Sequence, residues 1–166
     1  VDNATDYTGW GDAVVASTIT LEPGLWSLSN WGGVLVATVA NGKTFTWDST
    51  IAARFTTRAS TTTTSYVTAL TGDLGNPTAS RMTLISPTTR HLIHLGTETT
   101  IGTAASQDDM FLRFSEQEGI NTYAPSATNS AGTYRLQDGS KIMGGIVAKE
   151  NILIWTDNAL YSMKFV

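Results

Sequence analysis

Few side chains in this sequence are of the types that commonly carry chemistry, and the two histidines come first. His91 and His94 lie three residues apart in the apolar run HLIHLG. This run is typical of a strand, in which residues three apart point to opposite faces of the sheet. Because the two rings would then diverge, they cannot easily bind one metal ion, and we interpret both histidines as structural.

A group of carboxylates follows the histidines. Glu116 and Glu118 would share one face of an extended segment, and Asp108 and Asp109 come shortly before them. Paired carboxylates can hydrolyse glycosidic bonds or bind Ca²⁺, but the sequence has no EF-hand pattern and no catalytic motif near these residues. We interpret them as solvated loop residues, and we predict no catalytic, cofactor-binding or metal-binding residues.

Other motifs of catalysis and phosphate binding are missing from the sequence. It contains no cysteine, which excludes disulfides and thiolate metal sites, and no G-x-S-x-G. Gly42-Lys43-Thr44 lacks the upstream glycine of a phosphate-binding loop. The tryptophans could stack on sugars, but Trp47 and Trp155 lie in strand-like runs, and we interpret them as core residues.

The composition narrows the fold class. Charged residues make up 14% of the 166 residues, against roughly 25% in an average domain. This balance favours strands and turns over solvated helices. The net charge of −4 argues against a specific nucleic-acid site, which needs clustered Lys and Arg. No apolar run in the sequence approaches the roughly 18–20 residues that cross a bilayer, so we predict no membrane insertion.

The C-terminal segment predicts a β-hairpin, and two earlier segments resemble it. Two strand-like runs, Ile152–Thr156 and 159–165, flank the polar pair Asp157-Asn158. In the first earlier copy the pair is Asn41-Gly42, where both residues are expected to have a positive φ. The strand-like runs of the two earlier copies are 34–39 with 43–48, and, more faintly, 91–96 with 110–115.

The spacing of these copies indicates the architecture. Aligned on Leu35, Leu92 and Leu153, they recur after 57 and then 61 residues. A recurrence of roughly 40–60 residues, each unit a small antiparallel meander, is typical of propeller blades. We therefore predict an all-β fold of antiparallel meanders that resembles about three propeller blades, with 34–39, 91–96 and 152–157 at equivalent positions in consecutive sheets.

The domain organisation follows from the same pattern. Residues 1–25 are polar and turn-rich around one strand-like run at 13–21, and we interpret them as an arm that pairs with a neighbour or as a disordered terminus. We predict that residues 26–166 form a single all-β domain with blade-like units at about 26–70, 78–125 and 134–166. The Thr-rich tract at 56–66 fits either a polar strand or a mobile loop. The least strand-like stretch is 116–141.

Several aromatic motifs resemble those of a family of large virion proteins of tailed bacteriophages, described as head-to-tail stabilisation, tail hub or tail nozzle proteins. The resemblance covers about residues 26–163, and Tyr123 departs from it, since Trp is expected there. It is carried by WSLSNWG at 26–32 with the Trp-Asp that ends at Asp48, by FSEQE at 114–118 with Pro125, Thr128-Asn129, Ala131-Gly132, Leu136 and Gly139, and by IWTD at 154–157 with Leu160-Tyr161 and Met163.

The resemblance implies a structural protein of the virion, in a phage tail or head–tail connector, that is not an enzyme and has no cofactor. Its partners would be other virion proteins, in a homo-oligomeric ring of sixfold or twelvefold order. Family members are much longer, and three blades would leave two open edges where closed propellers use roughly four to eight. We therefore expect a fragment of a longer protein.

A carbohydrate-binding or carbohydrate-cleaving receptor-recognition tail domain is the alternative. Exposed aromatic residues beside Glu116, Glu118 or Asp157 would favour that function. Buried tryptophans and separated carboxylates would favour the structural one.

Overall fold

The computed structural model describes residues 24–48, the backbone of 68–69, and residues 76–165. The predicted arm, except for its last two residues, and the Thr-rich tract at 56–66 lie outside the described residues. The described part of the chain contains no α-helix. Its elements are β1 (Trp26–Trp31), β2 (Val34–Val39), β3 (Thr44–Asp48), β4 (Thr68–Ala69), β5 (Ser80–Ile85), β6 (Leu92–Thr97), a 3₁₀ helix (Ala104–Ser106), β7 (Phe111–Phe114), β8 (Gly132–Arg135), β9 (Ile142–Val147), β10 (Ile152–Thr156) and β11 (Leu160–Met163).

These strands form three antiparallel sheets, each a meander of consecutive strands. The first sheet has the order β1-β2-β3-β4, the second β5-β6-β7-β8, and the third β9-β10-β11. The predicted all-β, antiparallel fold class is confirmed. The three aligned runs also lie at equivalent positions, because β2, β6 and β10 are the second strands of consecutive sheets.

The turn between β2 and β3 differs from the prediction at one residue. Asn41 has a φ of 60° as expected, but Gly42 does not have a positive φ. The reason is that this turn also bonds to the next sheet. The Asn41 N–H donates to the Ser80 carbonyl at 2.8 Å, and the Ser80 N–H donates to the Gly42 carbonyl at 3.1 Å. The turn therefore joins the first sheet to the start of the second.

The second sheet ends later than the predicted unit at 78–125. β8 pairs with β7 from Phe111↔Arg135 to Phe114↔Gly132, so the residues from 132 to 135 belong to the second sheet and not to the third unit predicted at about 134–166. Gly132 explains how the pairing is made, because a Cβ at this position would lie 2.4 Å from the Phe114 ring. A strand this short and polar has little signal of its own in the sequence.

The second sheet lies between the other two, and every residue of β6 is buried. On one side Leu92 packs with Trp31 and Val36 of the first sheet, which we call the first interface. On the other side Ile93 and Leu95 pack with Ile152, Ile154 and Ile142 of the third sheet, which we call the second interface. Burial on both faces fits the apolar residues that β6 places on each side, Leu92 on one and Ile93 and Leu95 on the other.

The first strands of the three sheets lie next to each other. β5 contacts β1 of the first sheet and β9 of the third. Gly145 allows β9 to approach β5 this closely, since a Cβ at Gly145 would lie 2.7 Å from Leu84 Cδ1 and 3.1 Å from Leu95 Cδ1. The sheets are thus stacked face to face in chain order.

Candidate functional site

The two histidines lie on different sides of the second sheet, as the strand spacing predicts. His91 precedes β6 and packs against Phe114 and Phe165, with ring centroids 6.0 and 5.0 Å away. His94 lies in β6 against the edge of the Tyr123 ring, with centroids 5.0 Å apart. Both histidines are buried.

His94 belongs to a buried hydrogen-bond network in the first interface. Its Nδ1 lies 2.8 Å from Ser80 Oγ, and its Nε2 lies 3.1 Å from the Tyr123 hydroxyl. Burial, with a smaller contribution from the positive charge of Arg113, lowers the pKa of His94 to about 3. Burial also raises the pKa of Tyr123 well above its usual value. The hydroxyl gives Tyr123 a hydrogen bond to His94 at the position where the resemblance leads us to expect Trp.

Replacing Tyr123 with Phe is expected to lower the free energy of unfolding by about 1–3 kcal/mol, because it leaves a buried nitrogen of His94 without its partner. Urea unfolding measures this change. Tyr134→Phe is the matched control, since the Tyr134 side chain is 55% exposed and its change should be within about 0.5 kcal/mol. Equal midpoints for the two variants would contradict the assigned hydrogen bond.

A buried carboxylate at Glu98 was not predicted from the sequence. Its Oε1 accepts from the N–H and the hydroxyl of Thr78, the N–H at 2.8 Å, and its Oε2 accepts from the Gly102 N–H at 2.6 Å. Arg113 donates from Nη2 to the carbonyls of Glu98 and Thr99, at 3.2 and 3.1 Å. These bonds hold the loop that follows β6 against the sheet, which is a structural use of both charges.

Three of the four carboxylates considered for catalysis each pair with an arginine. Asp108 pairs with Arg135 at 2.7 Å, Asp109 with Arg81 at 3.1 Å, and Glu118 with Arg90 at 3.1 Å. The pKa of the Asp108 carboxyl is lowered. Burial alone would raise it, but the hydrogen bond from the Met110 N–H and the pairing with Arg135 together outweigh burial. Glu116 forms a bridge with Gly119 through its backbone.

Within the described ranges no three or more His, Asp or Glu side chains are grouped closely enough to hold a metal ion. No helix in this part of the chain is both long and apolar enough to cross a membrane.

The interpretation of Trp155 as a core residue is wrong. Its side chain is 39% exposed, and it lies on the outward face of the third sheet over Gly144, where a Cβ would come within 2.7 Å of Trp155 Cζ2. The neighbours of Trp155 on this face follow from the strand register: Leu160 on β11, and Leu153 paired with Ile146. We call Leu153, Trp155, Ile146 and Leu160 the third-sheet face.

The outward side of the first sheet is also apolar. Trp26 and Leu28 are exposed, Leu28 pairs with Ala37, and Ala37 pairs with Phe45. The Trp26 and Phe45 rings lie 6.1 Å apart. We call Trp26, Leu28, Ala37 and Phe45 the first-sheet face. Trp47 is half-buried, and Trp31 is the buried tryptophan of the first interface.

A third apolar feature runs along β11, which is the last strand of its sheet. Two adjacent clefts, of about 380 and 400 Å³, share Phe114, Met163 and Lys164. His91 and Ile152 line the first cleft, and Tyr134 and Tyr161 line the second. We call the two clefts together the trough. It continues the second interface outward, since Phe114, Tyr161 and Met163 also pack against that core.

His91 presents one unpartnered nitrogen in the wall of the trough. Its Nδ1 lies 2.7 Å from the Ser115 carbonyl, which can only accept, so in the neutral ring Nδ1 donates and Nε2 is an acceptor. His91 is 3% exposed, and Nε2 has no hydrogen-bond partner among the described residues. A buried acceptor of this kind favours a ligand or segment that carries a donor.

Comparison with known proteins gave no relatives. The chain matches no protein-family model, no curated protein and no solved structure.

Proposed function

We propose that the chain is a structural virion protein of a bacteriophage tail or head–tail connector, and that it acts in assembly through contacts with other virion proteins. The observation that carries the assembly role is the apolar outward face at each end of the stacked sheets. Leu28 is 64% exposed on the first-sheet face and Leu160 is 67% exposed on the third-sheet face. Contiguous exposed apolar residues on a sheet usually mark a protein interface. The phage assignment rests on the sequence resemblance.

We propose further that the three sheets are successive blades of a β-propeller. Three features support this arrangement: each sheet is a meander in chain order, the sheets stack face to face, and the first strand β5 lies between β1 and β9. Because a closed propeller needs roughly four to eight blades, three would need further blades from a longer chain or from other subunits. The two outward faces are where those blades would pack.

The third-sheet face gives a direct test of assembly. Trp155→Glu places a charge at its centre, and we expect the dissociation constant of the oligomer to rise about tenfold or more. Because Trp155 lies on the outward face, the melting temperature should change little. Sedimentation velocity at several concentrations measures the first quantity, and differential scanning calorimetry measures the second.

Ala105→Glu is the matched control, since it adds the same charge at an exposed position in the 3₁₀ helix. It should leave the oligomer unchanged. A wild-type chain that stays monomeric at all concentrations, or a Trp155→Glu variant that assembles like wild type, would contradict the proposed use of this face.

One observation favours the carbohydrate-binding alternative. Trp155 is exposed and lies two residues before Asp157, and an exposed aromatic residue beside Asp157 favours that function. The Asp157 carboxylate, however, accepts from the hydroxyl and the N–H of Ser140, the N–H at 2.7 Å, and so holds a turn. Trp155→Leu separates the two functions, because it keeps apolar area and removes the aromatic ring. Loss of binding on a glycan array with assembly retained would support the sugar site.

A further inference from the structure

The third sheet has an open position beside β11. In the described residues the first and second sheets have four strands each, whereas the third has three and ends at β11. The outer edge of β11 thus presents backbone N–H and C=O groups without a strand partner there. Such an edge can be extended by another strand.

The trough has the shape that an added strand would fill. Its two clefts lie side by side along β11, and they meet at Phe114 and Met163. Alternate side chains of a strand point to the same face at intervals of about 6.6–6.8 Å, so neighbouring residues on one face could enter the two clefts in turn. Backbone pairing with β11 would fix the strand in place, and the clefts would select apolar side chains.

We propose that residues 13–21 of a second copy of this chain add to β11 as a fourth strand of the third sheet. This inference rests on the proposed assembly function and names one contact that assembly would use. The segment reads AVVASTITL, and in the proposed strand alternation would place Val15, Ser17, Ile19 and Leu21 on one face. Three of these side chains are apolar, and the Ser17 hydroxyl is a donor of the kind that His91 Nε2 lacks.

The distance to be crossed favours a second copy over the same chain. Only residues 22–25 separate the segment from β1, so Leu21 and Trp26 are five Cα steps apart and span at most about 18 Å. β1 and β11 belong to sheets on opposite sides of the second sheet, and two sheet spacings are about 20 Å. If the segment comes from a second copy, this limit does not apply. The first-sheet face of that copy then lies close to the third-sheet face of the copy that accepts the strand.

Engineered cysteines test the contact in the full chain, which has no native cysteine. Ser162→Cys on β11 is mixed with an affinity-tagged copy that carries one cysteine at a position from 14 to 21. Ser162 pairs with Leu153 and shares its outward side, so residues of the segment that face away from the trough should lie nearest to it. We expect disulfide heterodimers at positions 14, 16, 18 or 20, more than tenfold above those at 15, 17, 19 and 21.

Ala105→Cys, paired with Ser162→Cys, gives the background yield of random collisions. A yield no higher than this background at every position, or one without alternation, would overturn the strand pairing. A double variant that cross-links within one chain at high dilution would overturn the assignment to a second copy. Sedimentation of the same reduced samples separates the two proposals: oligomers without cross-links refute only this contact, whereas monomers refute the assembly role as well.

Discussion

Ile154→Ala is expected to lower the free energy of unfolding by about 3–4 kcal/mol, within the range found for truncating a buried aliphatic residue. Ile154 is fully buried in the second interface, where it packs with Leu95 and Ile152. Its partner on β11 is Tyr161, and its partner on β9 is Gly145, which has no side chain that could fill the space left behind. The loss is a large part of the roughly 5–15 kcal/mol that stabilises a whole domain. Urea unfolding followed by tryptophan fluorescence measures it.

Leu153→Ala is the matched control, because Leu153 is the neighbouring residue of the same strand and points to the outward face. It removes a similar amount of apolar side chain but leaves no enclosed cavity, so we expect a loss of about 1 kcal/mol or less. If the two variants were equally destabilised, the third sheet would not pack on the second through the face that carries Ile154.

The arrangement of sheets could be predicted because it depends on local patterns. β2, β6 and β10 are short apolar runs bounded by turns, and their recurrence gave equivalent positions in three sheets. β8 was missed because its four residues carry no apolar alternation. It is a strand because β7 supplies the hydrogen-bond partners and Gly132 leaves room for the Phe114 ring.

The direction of the Trp155 side chain could not be predicted in the same way. In β10 the residues Ile152 and Ile154 form one apolar face, and Leu153 and Trp155 form the other. A pattern that is apolar on both faces does not tell which face meets the core. The choice depends on Gly145, which lets the Ile154 face approach Leu84 and Leu95.

The buried polar residues also lack a local signal. Glu98 lies in a stretch that reads as a polar loop, and its hydrogen bonds come from Thr78, twenty positions earlier, and from Gly102 in the left-handed region. Only the tertiary fold brings these groups together. The trough is likewise formed between two sheets, so neither its apolar walls nor the free nitrogen of His91 could be predicted from one strand.

Acidification is expected to destabilise the protein through His94. The pKa of His94 is about 3 in the folded protein, against an ordinary value of 6.5, because the ring is buried and faces the positive charge of Arg113. Between these two pH values the unfolded chain binds a proton at His94 that the folded protein does not bind. Stability from this residue is therefore complete above pH 6.5 and falls as the pH drops towards 3, by about 1.4 kcal/mol for each unit.

Unfolding in urea at pH 7 and at pH 4 measures this loss, with His94→Gln as the comparison. The Gln side chain keeps a donor and an acceptor for Ser80 and Tyr123 but does not titrate. Asp108 and Asp157, whose pKa values are also lowered, contribute acid sensitivity to both proteins, so the difference between the two isolates His94. We expect wild type to lose about 3 kcal/mol more than the variant between the two pH values. Equal losses of unfolding free energy in wild type and the variant would contradict this expectation. They would mean that His94 is protonated without leaving its site, which the contacts to Ser80, Tyr123 and Arg113 do not allow.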